Sequence, residues 1–143
     1  MPAKTTSPRS SAAVEDYLER ILELMNSKGY ARVVDIAAAL KISQASVTNM
    51  VQRLDADGLL KYEKYRGLIL TTAGKTLARK IAQRHKLLTD FLTLLGLDEK
   101  VIYRDVEGME HHISAPTLRA IEALTEQLRR RPALRARLEL AIA

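Results

Sequence analysis

Apolar residues recur every three or four positions along most of the chain, and this spacing predicts a mostly α-helical protein. The first helix is expected over about residues 13–28, because Gly29 follows it as a terminator. Two shorter apolar repeats, over residues 33–40 and 47–54, are separated by a tight turn. The pattern therefore predicts a helix-turn-helix, the motif with which many proteins read DNA.

The second helix of this motif should present a polar outer face. With Val47, Val51 and Leu54 turned inward, the helical step places small amides and hydroxyls on the outside. Such groups can reach base edges or phosphates, although an ordinary solvated face would have the same composition. The candidate DNA contacts here are Ser43, which is also the expected N-cap, and Gln44, Ala45, Ser46, Thr48, Asn49, Gln52 and Arg53.

Residues 61–70 favour the DNA-binding interpretation, because they predict two short strands joined by a turn. A hairpin directly after a helix-turn-helix is typical of a winged helix-turn-helix. Lys64, Tyr65 and Arg66 lie at the turn, where they could contact backbone phosphates.

The second half of the chain predicts three further helices. Thr72 is expected to cap a long helix that reaches Leu95, Asp98 to open the next, and Ser114 to cap a final one. The final helix has an apolar repeat typical of dimer-forming segments, made of Leu118, Ile121, Leu124 and Leu128. We expect a flexible tail at residues 1–13, a winged helix-turn-helix domain at 14–71 and a helical dimerisation domain at 72–143.

Composition and charge narrow the range of possible functions. The chain has 143 residues, a formal net charge of +6 and no Cys, so any metal must be held by oxygen and nitrogen. Nine cations against three anions lie between Arg53 and Lys86, beside the predicted reading motif. Met1 to Ala13 lacks the apolar run of a signal peptide or membrane span, which indicates a cytoplasmic protein without a membrane partner.

Several side chains could bind a metal. Glu107, Glu110 and His111 would share one face if their segment is helical, and two carboxylates so close favour a cation between them. Asp16 and Glu19 lie one turn apart on the first helix. Acids near a helix start more often complement the macrodipole. His85 lies in an apolar seam, where a histidine is more often a core residue than a ligand.

Taken together, these motifs resemble the manganese-responsive branch of the diphtheria toxin repressor family, a family of metal-dependent transcriptional repressors. The resemblance covers roughly Val14 to Leu128, and its most specific part is the Glu-Gly-Met-Glu-His-His run at residues 107–112. It implies a two-metal manganese site with the ligands Asp16, Glu19, His85, Glu107, Glu110 and His111. Iron-responsive relatives place Met and Cys where this chain has Asp16 and Glu110, and 143 residues leave no room for the SH3-like domain of longer members.

The implied function is a homodimeric repressor that binds a palindromic DNA operator and shuts off manganese uptake genes when Mn²⁺ is bound, with no small-molecule substrate. Four carboxylates and two imidazoles suit Mn²⁺ or Fe²⁺, and Co²⁺ and Zn²⁺ are expected to substitute in vitro. Metal would connect the two modules and so hold the recognition helices of a dimer near one spacing.

Three alternatives remain at this point. The first is an Fe²⁺ sensor of the same architecture. The second is a carboxylate-bridged di-metal enzyme, although no nucleophile or proton-transfer pair is evident. The third is a winged-helix regulator whose acids and histidines are only surface groups. His112 is expected to point away from the ligands, and the basic run from Arg129 to Arg137 to be a solvated helix end with a break at Pro132.

Overall fold

A computed structural model describes residues 12–63 and 65–143, and the predicted mostly helical fold is confirmed. The chain divides into two compact units between Lys80 and Ile81. The elements are α1 Ala12–Lys28, α2 Val33–Leu40, α3 Gln44–Ala56, β1 Leu60–Glu63, β2 Gly67–Leu70, α4 Thr72–Leu94, α5 Glu99–Met109, α6 Ala115–Arg129 and α7 Pro132–Ile142.

In the first unit, α2 and α3 form the expected helix-turn-helix. Lys41 ends α2 in the left-handed conformation, with φ of 56°, and so reverses the chain. Ser43 then caps α3, because its hydroxyl accepts a hydrogen bond from the Ser46 N–H at 3.1 Å. Val47 and Leu54 are fully buried, as the apolar repeat predicts. The outer face of α3 is thereby left to solvent.

The wing follows as an antiparallel hairpin of β1 and β2, in which Leu60 pairs with Leu70 and Glu63 with Gly67. Ala31 forms an isolated bridge to Leu68 on the other edge of β2. Gly67 allows this close approach, because a Cβ built there would lie 2.7 Å from the Ala31 carbonyl oxygen and its φ is +93°. The hairpin is thus tied to the segment that leads into α2.

The start of α4 packs tightly against the turn before the wing. The Thr71 hydroxyl accepts a hydrogen bond from the Gly74 N–H at 3.1 Å and donates one to the Gly58 carbonyl at 2.7 Å. The helix cap is therefore Thr71, and the prediction of Thr72 was wrong by one residue. Gly74 is required here, because a Cβ at this position would lie 1.8 Å from the Leu59 carbonyl oxygen.

The second unit is built around an apolar core between α4 and α5. Its buried residues are Leu88, Leu92, Ile102 and Val106, and half-buried side chains from α6, including Leu118 and Ile121, pack against them. Asp98 and Ser114 cap α5 and α6 as predicted, through hydrogen bonds from the Lys100 and Thr117 N–H groups. Leu118 and Ile121 belong to the apolar repeat predicted for α6, whereas the core face of α5 was not predicted.

Two predictions for the second unit were wrong in detail. The helix that carries Glu107 ends at Met109, so Glu110 is its C-cap and His111 lies in the following turn. The predicted break at Pro132 is present, but the helix that Ser114 caps is not the final one. A further helix, α7, begins at Pro132, a position that suits a residue without a backbone N–H. Leu124, part of the apolar repeat expected to form a dimer, is 48% exposed.

The tail predicted over residues 1–13 lies outside the described residues as far as Ser11, while Ala12 and Ala13 belong to α1. Lys64, predicted to contact DNA from the wing, also lies outside the described residues. Among the described residues, none of the helices is both long and apolar enough to cross a bilayer.

Candidate functional site

Glu110 is the buried centre of the candidate metal site in the second unit. Its side chain is 0% exposed, and its Oε2 lies 2.6 Å from Nδ1 of His85 on α4. Its other oxygen, Oε1, lies 3.6 Å from Nε2 of His111. The fold therefore brings together three of the predicted ligands, although 25 residues separate the two that are joined by the hydrogen bond.

The geometry around Glu110 suits a cation. Within the described part of the chain, its buried Oε1 has no hydrogen-bond partner, although a buried carboxylate oxygen normally has one. A ligand atom of Glu110 lies within 4.8 Å of one on each histidine, close enough for Glu110 to share an ion with either of them. Carboxylate oxygen and imidazole nitrogen are donors that divalent Mn²⁺ and Fe²⁺ accept. The residues present therefore fit a divalent metal ion.

The backbone after α5 explains how Glu110 and His111 reach this position. The Glu110 N–H still donates to the Val106 carbonyl at 3.0 Å, as in an α-helix, but the His112 N–H donates to the Met109 carbonyl at 3.1 Å. The chain therefore tightens into a 3₁₀-like turn directly after Glu110. His112 is exposed while His111 is half-buried, so the two adjacent imidazoles have different surroundings, as predicted.

Glu107 lies on the last turn of α5 and is half-buried. It precedes Glu110 by three residues, and this spacing places the two on the same side of a helix. Among the described residues, Glu107 does not belong to a group of three candidate ligands whose donor atoms converge, so its ligand role stays a prediction.

The other two predicted ligands, Asp16 and Glu19, lie on α1 of the first unit, and both are half-buried. The macrodipole acts mainly on the first turn of a helix. Because α1 extends back at least to Ala12, both acids lie beyond that turn. The dipole explanation therefore accounts poorly for them. Burial raises the pKa of the Tyr17 phenol, so this neighbour stays neutral and adds no charge beside the acids.

A groove of about 400 Å³ opens beside His85 in the second unit, a feature that the sequence analysis missed. It is lined by His85, Thr89, Glu99, Lys100, Ile102 and Tyr103. Thr89 follows His85 by one helical turn, and this spacing places both side chains on the side of α4 that faces the groove.

The candidate DNA contacts of the first unit are all at the surface where they are described. On α3 and its cap, Ser43, Gln44, Ala45, Ser46, Thr48, Asn49, Gln52 and Arg53 are exposed, as are Tyr65 and Arg66 at the turn of the wing. The hydroxyl groups of Ser43 and Thr48 are partly engaged, in the cap and in a hydrogen bond to the Gln44 carbonyl at 2.9 Å. The amides of Asn49 and Gln52 are thus the more versatile candidates for base readout.

Both halves of the chain match one family. Residues 10–68 match the iron dependent repressor N-terminal DNA binding domain, and residues 71–137 match the iron dependent repressor metal binding and dimerisation domain. The chain therefore belongs to the iron-dependent repressor family of metal-binding, DNA-binding transcriptional regulators, and the resemblance inferred from its motifs is confirmed. The matched domains indicate DNA and a second copy of the chain as partners.

Named relatives are similar along most of the chain. The HTH-type transcriptional regulator MntR of Lysinibacillus sphaericus (strain C3-41) is 50% identical over 89% of this chain and 91% of its own. MntR of Bacillus subtilis (strain 168) is 54% identical over 73% of this chain and 74% of its own. The solved structure of the manganese regulator SloR matches with a TM-score of 0.70 and 28% identity over 79% of this chain. The chain spans about half the length of SloR, since the match covers 53% of it.

Proposed function

We propose that this protein is a manganese-dependent repressor that binds operator DNA as a homodimer and shuts off manganese uptake genes when the metal is plentiful. The observation that carries the proposal is Glu110, a buried carboxylate between two histidines, in a chain whose other half is a DNA-binding domain. The proposal assigns DNA reading to residues 14–71 and dimerisation to residues 72–143, and it implies action in the cytoplasm.

The proposed metal ligands are the six residues that the family resemblance implies: Asp16, Glu19, His85, Glu107, Glu110 and His111. Their four carboxylates would balance the charge of two divalent ions, which supports two metals per subunit. Glu110 and its two histidines supply one oxygen-donor and two nitrogen-donor side chains, and the chain has no Cys to favour softer ions. Co²⁺ and Zn²⁺ should therefore also bind in vitro.

Manganese rather than iron is the proposed physiological metal. The family takes its name from iron, but the similar SloR is described as a manganese regulator. This chain has an acid at both Asp16 and Glu110, and oxygen donors suit Mn²⁺. Because Mn²⁺ is the weakest binder of the divalent series, selectivity must come from geometry and metal availability rather than from affinity.

Activation would follow from the distribution of the ligands over the sequence. Asp16 and Glu19 belong to the helix that precedes the reading motif, whereas the other four belong to the dimerisation half. When bound, the cation supplies the positive charge that offsets repulsion among these acids. The acids could then remain close together, and the two α3 helices of a dimer would be held near the spacing of about 34 Å, or a multiple of it, that adjacent major grooves require.

The test is a DNA-binding titration with a duplex selected by this protein, in the presence of Mn²⁺, from a randomised palindromic library. Saturating Mn²⁺ should tighten binding by about 5 to 150-fold, the usual range for coupling between two sites. A chelator should reverse the effect. A parallel anaerobic titration with Fe²⁺ at equal free metal should activate less.

Each of two outcomes would contradict a different part of the proposal. Duplex affinity that ignores both Mn²⁺ and chelator would remove metal dependence and leave a constitutive DNA-binding protein. Equal or stronger activation by Fe²⁺ at equal free metal would assign the protein to iron sensing.

A further inference from the structure

The extended segment Tyr30–Arg32 runs beside the wing in the first unit. The Ala31 N–H donates to the Leu68 carbonyl at 3.0 Å, and the Leu68 N–H donates back to the Ala31 carbonyl at 2.7 Å. Ala31 is 0% exposed and points inward. Because side chains alternate along extended backbone, Tyr30 and Arg32 share the opposite, outer face.

Two contacts define the position of the Arg32 side chain on this face. Its guanidinium carbon lies 4.9 Å from the centroid of the Tyr30 ring, within the range of a cation–π interaction. Its Cγ lies 3.5 Å from the place where a Cβ on Gly67 would be, so the stem of Arg32 occupies the space that this glycine leaves. The aromatic ring and the glycine thus hold an exposed cation next to the first residue of β2.

The neighbouring acids already have other partners. Asp35, one turn along α2, pairs with Lys28 at 3.7 Å. Glu63 on β1 is shared between Lys61 at 3.7 Å and Arg66 at 3.5 Å. Across residues 12–63 and 65–143, no carboxylate lies within ion-pair distance of the Arg32 guanidinium. Its positive charge therefore remains available to an outside anion.

We propose that Arg32 is a further contact to a DNA phosphate and that Tyr30 is its positioning residue. Arg32 directly precedes α2, the first helix of the reading motif, and in such motifs this helix crosses the DNA backbone. The planar guanidinium matches phosphate geometry, and an arginine already held over a ring loses less side-chain freedom on binding. This inference rests on the DNA-binding function proposed above and adds residues outside the predicted contact set.

The test measures how the affinity for the selected duplex depends on salt, with Mn²⁺ saturating. Each lost phosphate contact lowers the slope of log K against log salt by about 0.9, so Arg32→Gln should lower it by about two units for a dimer. Arg32→Lys, which keeps the charge, should retain most of the slope. Arg119→Gln, at an exposed arginine on α6, is the matched control and should leave the slope unchanged.

Variants of Tyr30 test the positioning role separately. Tyr30→Phe keeps the aromatic face and should bind like the wild type. Tyr30→Leu removes it and should weaken binding by about two- to fivefold, equivalent to about 0.5–1 kcal/mol, while the salt slope is retained.

The inference is overturned if Arg32→Gln keeps the wild-type slope while the wild type still responds to Mn²⁺, and in that case the proposed function survives. Wild-type affinity for Tyr30→Leu would overturn the positioning role alone. Failure of the wild type to bind any selected duplex would instead overturn the proposed function.

Discussion

On α3 of the first unit, the side chains expected to read DNA, such as Asn49 and Gln52, are exposed, whereas in the second unit Glu110 is completely buried between His85 and His111. Exposed amides cost the folded protein nothing when no DNA is present, because water satisfies them. A buried carboxylate oxygen without a hydrogen-bond partner is costly until a cation compensates it. Within the second unit, Glu110 is therefore the residue on which metal sensitivity is expected to depend most, whereas the reading face of α3 is already exposed without metal.

The largest expected difference between the units is in the change of unfolding free energy when one glycine of each is replaced by alanine. Gly74→Ala should destabilise the first unit by about 3 kcal/mol or more, because its Cβ would lie 1.8 Å from the backbone oxygen of Leu59. Gly108→Ala is the matched change on α5, where a Cβ meets nothing within 4 Å, and it should stabilise by about 0.5–1 kcal/mol.

Urea denaturation of the metal-free protein would measure both glycine variants. A small effect of Gly74→Ala would show that the packing of α4 against the wing is not rigid.

Replacing the buried acid should separate metal sensing from folding. Glu110→Gln preserves side-chain volume and can still hydrogen-bond to His85, so the metal-free melting temperature should stay the same or rise. The Mn²⁺-induced gain in DNA affinity, about 1–3 kcal/mol in typical coupled systems, should be lost.

The matched control is Glu126→Gln on α6, whose side chain is 48% exposed, and it should respond to Mn²⁺ like the wild type. A normal Mn²⁺-induced rise in melting temperature for Glu110→Gln would exclude this carboxylate as a ligand.

Replacing an exposed amide should weaken DNA binding and leave metal binding intact. Asn49→Ala should weaken binding to the selected duplex by about 1–2 kcal/mol, because a bidentate contact to a base is lost. Its melting temperature and its Mn²⁺ affinity should not change.

Asn26→Ala, at an exposed asparagine on α1, is the matched control. Unchanged duplex affinity for Asn49→Ala, measured by fluorescence anisotropy, would move base readout to other residues of α3.

Predictions from sequence are correct where structure depends on near neighbours. The helix-turn-helix follows from apolar spacing, while the Ser43 cap of α3 and the Gly29 terminator of α1 follow from local hydrogen bonding and backbone freedom. Predictions are less accurate at helix ends that tertiary packing decides. The tight packing of Gly74 against Leu59 makes Thr71 the cap, and α5 ends one residue before Glu110.

The chain alone thus determined the fold class, because helical periodicity is encoded in residue type and short-range spacing. The family and the six candidate ligands followed from its resemblance to known repressors, since spacing alone favoured other roles for Asp16, Glu19 and His85. Tertiary structure decided that the Glu110 carboxylate is buried against His85, and that Arg32 lies over Tyr30 beside the wing. The contact of Glu110 with His85 and that of Arg32 with Gly67 both join segments far apart in sequence. Periodicity assigns a residue to one side of its own helix or strand, but only packing determines which distant side chain it meets there.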